Sequence, residues 1–388
     1  MSSAAGTTAK RLATVIRRYR DDDAEQVCAL HKRVFPGVLP ETATGAEFGA
    51  NILELTEGNP WRAEDIGPLV IEDSAGMIRG FHCVIPRRFV FHNRVVRAAV
   101  CSSMCIDVDF RGYTGAELLR HMLSGPQDFS VSDDANDVAA HVSVHMGCSI
   151  YQLPSLRWTL PLRPADLVFS TVLKRIGMSR ARWIGAGIPA LLDMAAKRFP
   201  QAPAHVPAES TLSPRPVDVD AMAAALPRVC RGFTLRVEHS RESLAWTLGR
   251  AHRMTQAGKP RTVMICEQDG LVAGWFTYYL HKHGLADVVQ FVSRLRFRRP
   301  VFDWLIRDAM QAGAAGLTGR LDPDTVEIIA NQYALFQPQP HWVVVHSRDP
   351  EYTRAFMAGG TLLSRLEGEW LNGFPYSPAP KKQAPKQF

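Results

Sequence analysis

Residues 99–124 read AVCSSMCIDVDFRGYTGAELLRHMLS, an apolar run that ends in an Arg-Gly turn and opens directly into a helical pattern. The β-branched and small apolar residues from Val95 to Val108 suit a strand, while Glu117, Leu118, Leu119, Met122 and Leu123 recur at helical spacing. Between them stands Arg111-Gly112-Tyr113-Thr114-Gly115-Ala116. Small residues there let the backbone approach a ligand, and the amides of a helix's first turn, lacking internal partners, point outward with partial positive charge. Such a turn is a cradle for a diphosphate.

Upstream of this turn, TVIRRYR (14–20) reads as a first strand and AEQVCALHKRVFP as an amphipathic helix stopped by Pro36. A second helix is expected over Ala46 to Leu55, with Trp61 as a packing anchor after it. PLVIEDSAG and MIRGFHCVIPRRFVFH follow as two strands joined by a turn at Ser74 to Gly76. Downstream, Asp128 to Ser132 reads as a short strand, and Asn136 begins a helical stretch that ends at Gly147.

The stretch from Arg111 to Ala116 resembles motif A of the GNAT acyltransferase superfamily, Arg/Gln-x-x-Gly-x-Gly/Ala after the fourth strand. Arg111, Gly112 and Ala116 fit that pattern, while Thr114 stands at the usual middle glycine with Gly115 beside it. A second point of resemblance is the frame Asn136, Ala139, Ser143, Gly147, in which serine replaces the family's tyrosine. The resemblance implies a mixed-sheet α/β fold and a site for acetyl-CoA or another acyl-CoA. Its expected binding residues are Ile106, Val108, Arg111, Gly112, Tyr113, Thr114, Gly115, Ala116 and Asn136. It further implies transfer of an acyl group to an amine or hydroxyl of a small-molecule acceptor. The alternative is a non-catalytic acyl-CoA-binding or sensing protein, which the missing tyrosine and Thr114 favour.

Transfer to an amine requires alignment of amine and thioester, polarisation of the carbonyl and a base. His82 on the third strand and Glu72 on the second are the candidate bases, and Ser143 stands where the departing thiolate meets the family's acid. Ser102 and Ser103 lack the Gly-x-Ser-x-Gly elbow of hydrolases. By strand alternation, Cys101 and Cys105 share a face with Ser103, where a thiol either fills core or relays an acyl group.

Beyond a connector, the order of elements repeats. FTLRVEH reads as a strand, ESLAWTLGRAHRM as a helix, TVMICEQDG and GLVAGWFTYYLHKHG as a hairpin turning at Asp269-Gly270, ADVVQFVSRLRF as a strand and RRPVFDWLIRDAMQAG as a helix. At the position of the cradle stand Arg298, Arg299 and Pro300, where proline deletes an amide. The expected organisation is therefore a disordered 1–13, an acyl-CoA-binding unit over 14–160, a connector over 161–231, a second GNAT-like unit without the cradle over 232–375, and a disordered basic tail over 376–388. The connector holds a basic amphipathic stretch, Phe169 to Phe199, able to pack between units or to lie on an anionic bilayer.

The 388 residues, 46% of them hydrophobic, are enough for about two domains. The first residues lack the continuous apolar core of a secretory signal, and no run reaches the ~18 to 20 apolar residues of a transmembrane helix, so a cytoplasmic protein is expected. Seven scattered cysteines without a Cys-x-x-Cys pair read as reduced, buried thiols. A net charge of +7 favours anionic partners. Nucleic acid is not expected, because alternation separates Arg294, Arg296 and Arg298 from Phe291 and Phe297. No metal is expected either. His141 and His145 share a helix face near Cys148 without a further acidic ligand, and His281 with His283 forms only a pair.

Overall fold

A computed structural model describes residues 13–163 and 211–374 except 283, 324, 333 and 340. The basic stretch from Phe169 to Phe199, residues 1–12 and the tail 376–388 lie outside the described residues. The first half runs β1 (Thr14–Arg18), α1 (Ala24–Val34), α2 (Gly45–Thr56), β2 (Leu69–Asp73), β3 (Ile78–Phe91), β4 (Arg94–Ile106), α3 (Tyr113–Leu123), β5 (Phe129–Ala135), α4 (Asp137–His145), β6 (Ser149–Tyr151) and β7 (Leu156–Pro161). The second half runs β8 (Ser213–Arg215), α5 (Val219–Val229), β9 (Leu235–Val237), α6 (Arg241–Arg253), β10 (Lys259–Cys266), β11 (Val272–Leu280), β12 (Leu285–Ser293), α7 (Arg298–Gln311), β13 (Gly316–Arg320), α8 (Val326–Ala330), β14 (Leu335–Pro338), β15 (Trp342–Ser347), α9 (Pro350–Met357) and β16 (Thr361–Leu362).

Local chemistry explains where these elements start and turn. Thr44 and Glu47 form a capping box at the start of α2, the Glu47 amide donating to Thr44 Oγ1 at 3.2 Å and the Thr44 amide to Glu47 Oε2 at 2.8 Å. Asn136 Oδ1 caps α4 by accepting from the Ala139 amide at 2.9 Å. The hairpins turn at Gly76 and Gly270, whose φ angles of +76° and +85° favour glycine.

Two mixed sheets result. The first has the order β1-β2-β3-β4-β5-β15-β6, with β9 on the far end of β3 and β16 beside β9. Helices α3 and α4 cover one face, Leu118, Met122 and Ala140 meeting Val84 and Ala99. Helices α1 and α2 cover the other, Val27, Leu30, Phe48 and Ile52 meeting Phe81 and Ile85. The second sheet has the order β14-β7-β13-β12-β11-β10-β8. There α7 supplies Val301, Phe302 and Leu305 to one core, and α5 and α6 supply Met222, Leu226, Leu244 and Leu248 to another. The mixed-sheet α/β class is that expected from the sequence.

The sheets do not divide at residues 160 and 232. β7 leaves the first half to pair with β13 and β14, and β15 leaves the second half to sit between β5 and β6. FTLRVEH, expected to open the second unit, contains β9 and pairs with β3, while β8 takes the edge of the second sheet. Such pairings join residues more than a hundred positions apart, and local periodicity carries no record of them. Strand β12 also stops at Ser293, short of the expected Phe297. Residues Leu295–Phe297 make a 3-10 turn in which the Arg294 and Arg296 guanidiniums lie 5.0 and 4.5 Å from the Phe297 ring centroid. The expected separation of these arginines from the aromatics therefore does not occur. Among the described residues no helix is long and apolar enough to cross a membrane.

Candidate active site

After β4 ends, Val108–Phe110 forms one 3-10 turn and Arg111 is extended. Gly112 then takes φ +86° and ψ −114° as the residue before α3, a conformation that side chains disfavour. The Ala116 amide donates to the Gly112 carbonyl at 3.0 Å and closes the first helical turn. Gly115 is buried, and a Cβ there would lie 3.4 Å from Ile106 Cγ1, so the helix start sits directly on the end of the strand. Arg111, Gly112 and Tyr113 are exposed at the rim, with Val108 beside them at 63% exposure. No side chain caps this helix start, and the first amides of a helix lack internal partners, as anion binding requires.

Next to the cradle the sheet opens. β4 and β5 pair in parallel only from Ala98↔Phe129 to Val100↔Val131, yet β4 continues to Ile106 and β5 to Ala135. A bulge accompanies the parting. Ser103 has φ +48°, and the β3–β4 register passes from Phe81↔Cys105 to Cys83↔Ser102. One extra residue there bends the strand and breaks its alternation. Cys101 consequently packs with Leu118 and Met122 on the α3 face, whereas Cys105 packs with Phe81 and Val27 on the α1 face. The shared face expected for these two thiols does not exist. Burial raises both thiols far above their ordinary range, as it raises Cys83 and Cys148 to about 11, so they behave as core residues.

The gap holds a residue that strand and helix patterns do not reveal. Residues Glu369–Asn372 form a 3-10 turn lying against both β4 and β5. Glu369 Oε1 accepts from the Asp134 amide at 3.0 Å and from the Ser132 hydroxyl. Burial pushes this carboxyl well above the usual carboxylate range, and the charges of Asp133 and Asp134 push it further. Asp133 is itself neutralised by Arg320 of β13, Nη1 to Oδ2 at 2.7 Å. A carboxyl with a raised pKa, held by two donors at an opening in the sheet, is a candidate proton acceptor once it is ionised. In the sequence it is an acidic residue inside SRLEGEWLNGF, with no motif around it.

The residues expected at the site fall into three groups. Ile106, Val108 and the run from Arg111 to Ala116 come together at the start of α3. His82 lies on β3 near the bulge, 3% exposed, with Nδ1 unpartnered, and burial pushes its imidazole down to about 4. It is neutral at pH 7 and a weak base. The other three lie on β2 and at α4. Glu72 is on β2 in an ion pair with Arg17, which also binds Asp23 at 2.7 Å, two strands away from the gap. Asn136 is occupied by its cap on α4. Ser143 is buried on α4, where its carbonyl accepts from the Cys148 amide at 3.0 Å. His145 Nδ1 is 2.9 Å from the His141 carbonyl, and no group of three or more His, Cys, Asp and Glu among the described residues is placed to hold a metal.

No family model matches the chain, and no curated protein matches it in sequence. Solved structures match its architecture at low identity. A GCN5-related N-acetyltransferase from Anabaena variabilis aligns with a TM-score of 0.56 and 12% identity, over 87% of this chain and 73% of that one. A conserved Enterococcus faecalis protein of unknown function, a probable N-acyltransferase, aligns with a TM-score of 0.55 and 11% identity, over 86% and 72%. The N-myristoyltransferase of Saccharomyces cerevisiae, solved with bound myristoyl-CoA and inhibitors, aligns with a TM-score of 0.50 and 11% identity, over 86% and 79%. With the parted parallel strands and the glycine-opened helix already described, these likenesses show that the chain has the fold of the GNAT (GCN5-related N-acetyltransferase) superfamily.

Proposed function

We propose that the chain transfers an acetyl or longer acyl group from acyl-CoA to the amine of a small-molecule acceptor. The observation that carries this reading is the opening between β4 and β5, flanked by outward amides at Gly112 and by the Glu369 carboxyl. The residues present fit an acyl-CoA. Gly112 has nothing within 4 Å of where a Cβ would stand, and β4 beyond Val100 is no longer paired with β5. When bound, acyl-CoA supplies an acyl carbon already activated as a thioester.

Each part of the chain then has a task. The amides from Gly112 to Ala116 hold the diphosphate, with the exposed Arg111 adding charge at the rim. Glu369 takes the proton released as the acceptor amine attacks, and the Ser132 hydroxyl and Asp134 amide fix the direction of its carboxyl. Helices α3 and α4 and their core keep water from that face. A second reading, binding without catalysis, is favoured by Ser143 standing where the family's tyrosine would.

Calorimetric titration with acetyl-, hexanoyl- and palmitoyl-CoA tests the first step. Saturable binding is expected, weakened about 100-fold by Gly112→Val, which places a branched side chain in a left-handed conformation and in the path of the phosphates. Unchanged affinity in that variant ends the assignment. Thiol release with a panel of amines then separates transfer from mere binding.

A further inference from the structure

Among the described residues, the face of β3 that looks toward α6 carries a cation without a counter-ion. Arg87 is 1% exposed, and its guanidinium lies 4.9 Å from the Trp61 ring and 5.3 Å from the Trp246 ring. Nη1 donates to the neighbouring Pro86 carbonyl at 3.2 Å, while Nε and Nη2 have no partner. The Trp246 indole N–H and the Thr247 hydroxyl, on adjacent residues of α6, are also buried and unpartnered. Buried polar groups are almost always satisfied, and a buried charge more so.

The acids nearby are committed elsewhere. Glu367 accepts from Gln290 at 2.8 Å, from the Ser364 amide at 2.9 Å and from the Ser364 hydroxyl, with His239 Nε2 at 3.1 Å. Asp133 is held by Arg320, and Glu238 Oε2 lies 2.7 Å from Arg88 Nε, close enough for an ion pair but without hydrogen-bond geometry. The neighbouring cation, Arg250, is paired with Glu54 at 3.0 Å, a carboxylate it shares with Arg253. Among the described residues Arg87 has no carboxylate partner. Its free edge, Nε with Nη2, is the side-on fork that matches the two oxygens of a carboxylate.

Resting on the acyl-transfer reading, we propose that Arg87 binds the carboxylate of the acceptor, so that the substrate class is an amine that also carries a carboxyl group. A single carboxylate is the group that one such fork pairs with. Placement along β3 sets the shape of this acceptor. Cys83 pairs with Ser102 at the bulge beside the opening, and Arg87 lies four residues from Cys83 on the same face, roughly 13 Å along the strand. With an arginine's reach subtracted, amine and carboxylate are separated by several bonds rather than attached to one carbon. The paired indoles of Trp61 and Trp246, 6.2 Å apart, exclude water around the fork.

The test is calorimetric titration of the full chain, without acyl-CoA, by acetate and by β-alanine, 4-aminobutyrate and 6-aminohexanoate, each amino acid against its primary amide. The intact chain is expected to bind at least one amino acid tenfold or more tightly than its amide. Arg87→Gln is expected to lose that preference, and so is Arg87→Lys, which keeps the charge and loses the fork. No preference in the intact chain, or an undiminished one in Arg87→Gln, overturns the proposal. If circular dichroism finds Arg87→Gln unfolded, Arg87→Lys carries the comparison. Inorganic phosphate binding more tightly than every carboxylate also overturns it. A chain that binds these acids but no acyl-CoA keeps the carboxylate site and loses the acyltransferase reading, whereas one that binds acyl-CoA and none of the acids does the reverse.

Discussion

Two parallel strand pairs open in this molecule, β4 with β5 and β12 with β13. The second pair is joined from Leu285↔Gly316 to Val288↔Gly319 and then parts while β12 runs on to Ser293, much as the first parts beyond Val100. Each first strand ends in a 3-10 turn and each turn leads into a helix. The entrances differ. Gly112 brings outward amides to the first, while Arg298, Arg299 and Pro300 begin α7 at the second, with long side chains above and one amide missing. The gaps differ as well. Glu369 reaches into the first, and the second is a pocket lined by Trp158, Phe302, Gln290 and Arg320. A parted pair of strands is thus a property of the repeated fold, and the helix start decides what such an opening can hold.

The largest effect is expected where the two sheets meet. Arg320 of β13 and Asp133 of β5 are 8% and 6% exposed, and Arg320 Nη2 also donates to the Leu363 carbonyl at 3.2 Å. Arg320→Met leaves Asp133 buried without its counter-ion and should cost about 3 to 5 kcal/mol of stability, read from the urea midpoint. Adding Asp133→Asn should recover part of it. A loss under about 1 kcal/mol would mean that the sheets hold together without this pair.

Glu369→Gln comes next and bears on the first opening alone. The amide keeps the shape of the carboxyl and removes the proton acceptor, so kcat should fall about 10³-fold. Because the carboxyl is raised, the intact enzyme should gain activity as pH climbs through the Glu369 pKa, and the variant should not. Stability moves the other way. The folded state keeps this proton after the unfolded chain has released it, so stability present below the ordinary pKa of 4.5 is lost as pH rises through the folded value. The variant should therefore melt higher than the intact chain at pH 8, and the two should converge at pH 4. Unchanged kcat would move the base elsewhere, with His82 the first alternative.

Histidine burial separates the two sheets under acid. His31 and His82, the buried histidines among the described residues, both belong to the first half and are both pushed down to about 4 by burial. Their contribution to stability is present above the ordinary value of 6.5 and is lost as pH falls toward 4. Replacing His82 by Gln should remove roughly 2 kcal/mol of the acid-induced loss between pH 7 and 4.5. A pH profile of unfolding free energy identical to that of the intact chain would contradict it.

Much of this was legible in the chain itself. The period of α1, the Thr44–Glu47 cap of α2, the glycine turns at Gly76 and Gly270 and the Gly112 turn before α3 are local, and local chemistry predicts them. The bulge at Ser103 was not legible, because serine has no preference for φ +48° and the bulge depends on how β4 meets its neighbours. It alone undoes the shared face of Cys101 and Cys105. Strands β7 and β15 are ordinary strands whose exchange is decided by the whole fold. Glu369 is placed by a contact across more than two hundred residues, to Asp134 and Ser132, and its raised pKa exists only after that burial.

The smallest expected effect tests the second entrance. Arg296 is well exposed, with its Nη2 2.8 Å from Glu267 Oε2 and its guanidinium over Phe297, and Arg299 Nε is 2.9 Å from Asp303 Oδ1 on the next turn of α7. Exposed pairs of this kind contribute less than about 1 kcal/mol, so Arg296→Ala and Arg299→Ala should each shift unfolding by no more than about 0.5 kcal/mol. If only the Gly112 entrance holds a diphosphate, both variants should also keep their affinity for acyl-CoA within about twofold at 0.15 M salt, where long-range charge effects are screened. A tenfold loss in either would place a second phosphate-binding group at α7. Arginine side chains, rather than glycine and bare amides, would then be doing at the second opening what we propose for the backbone at the first.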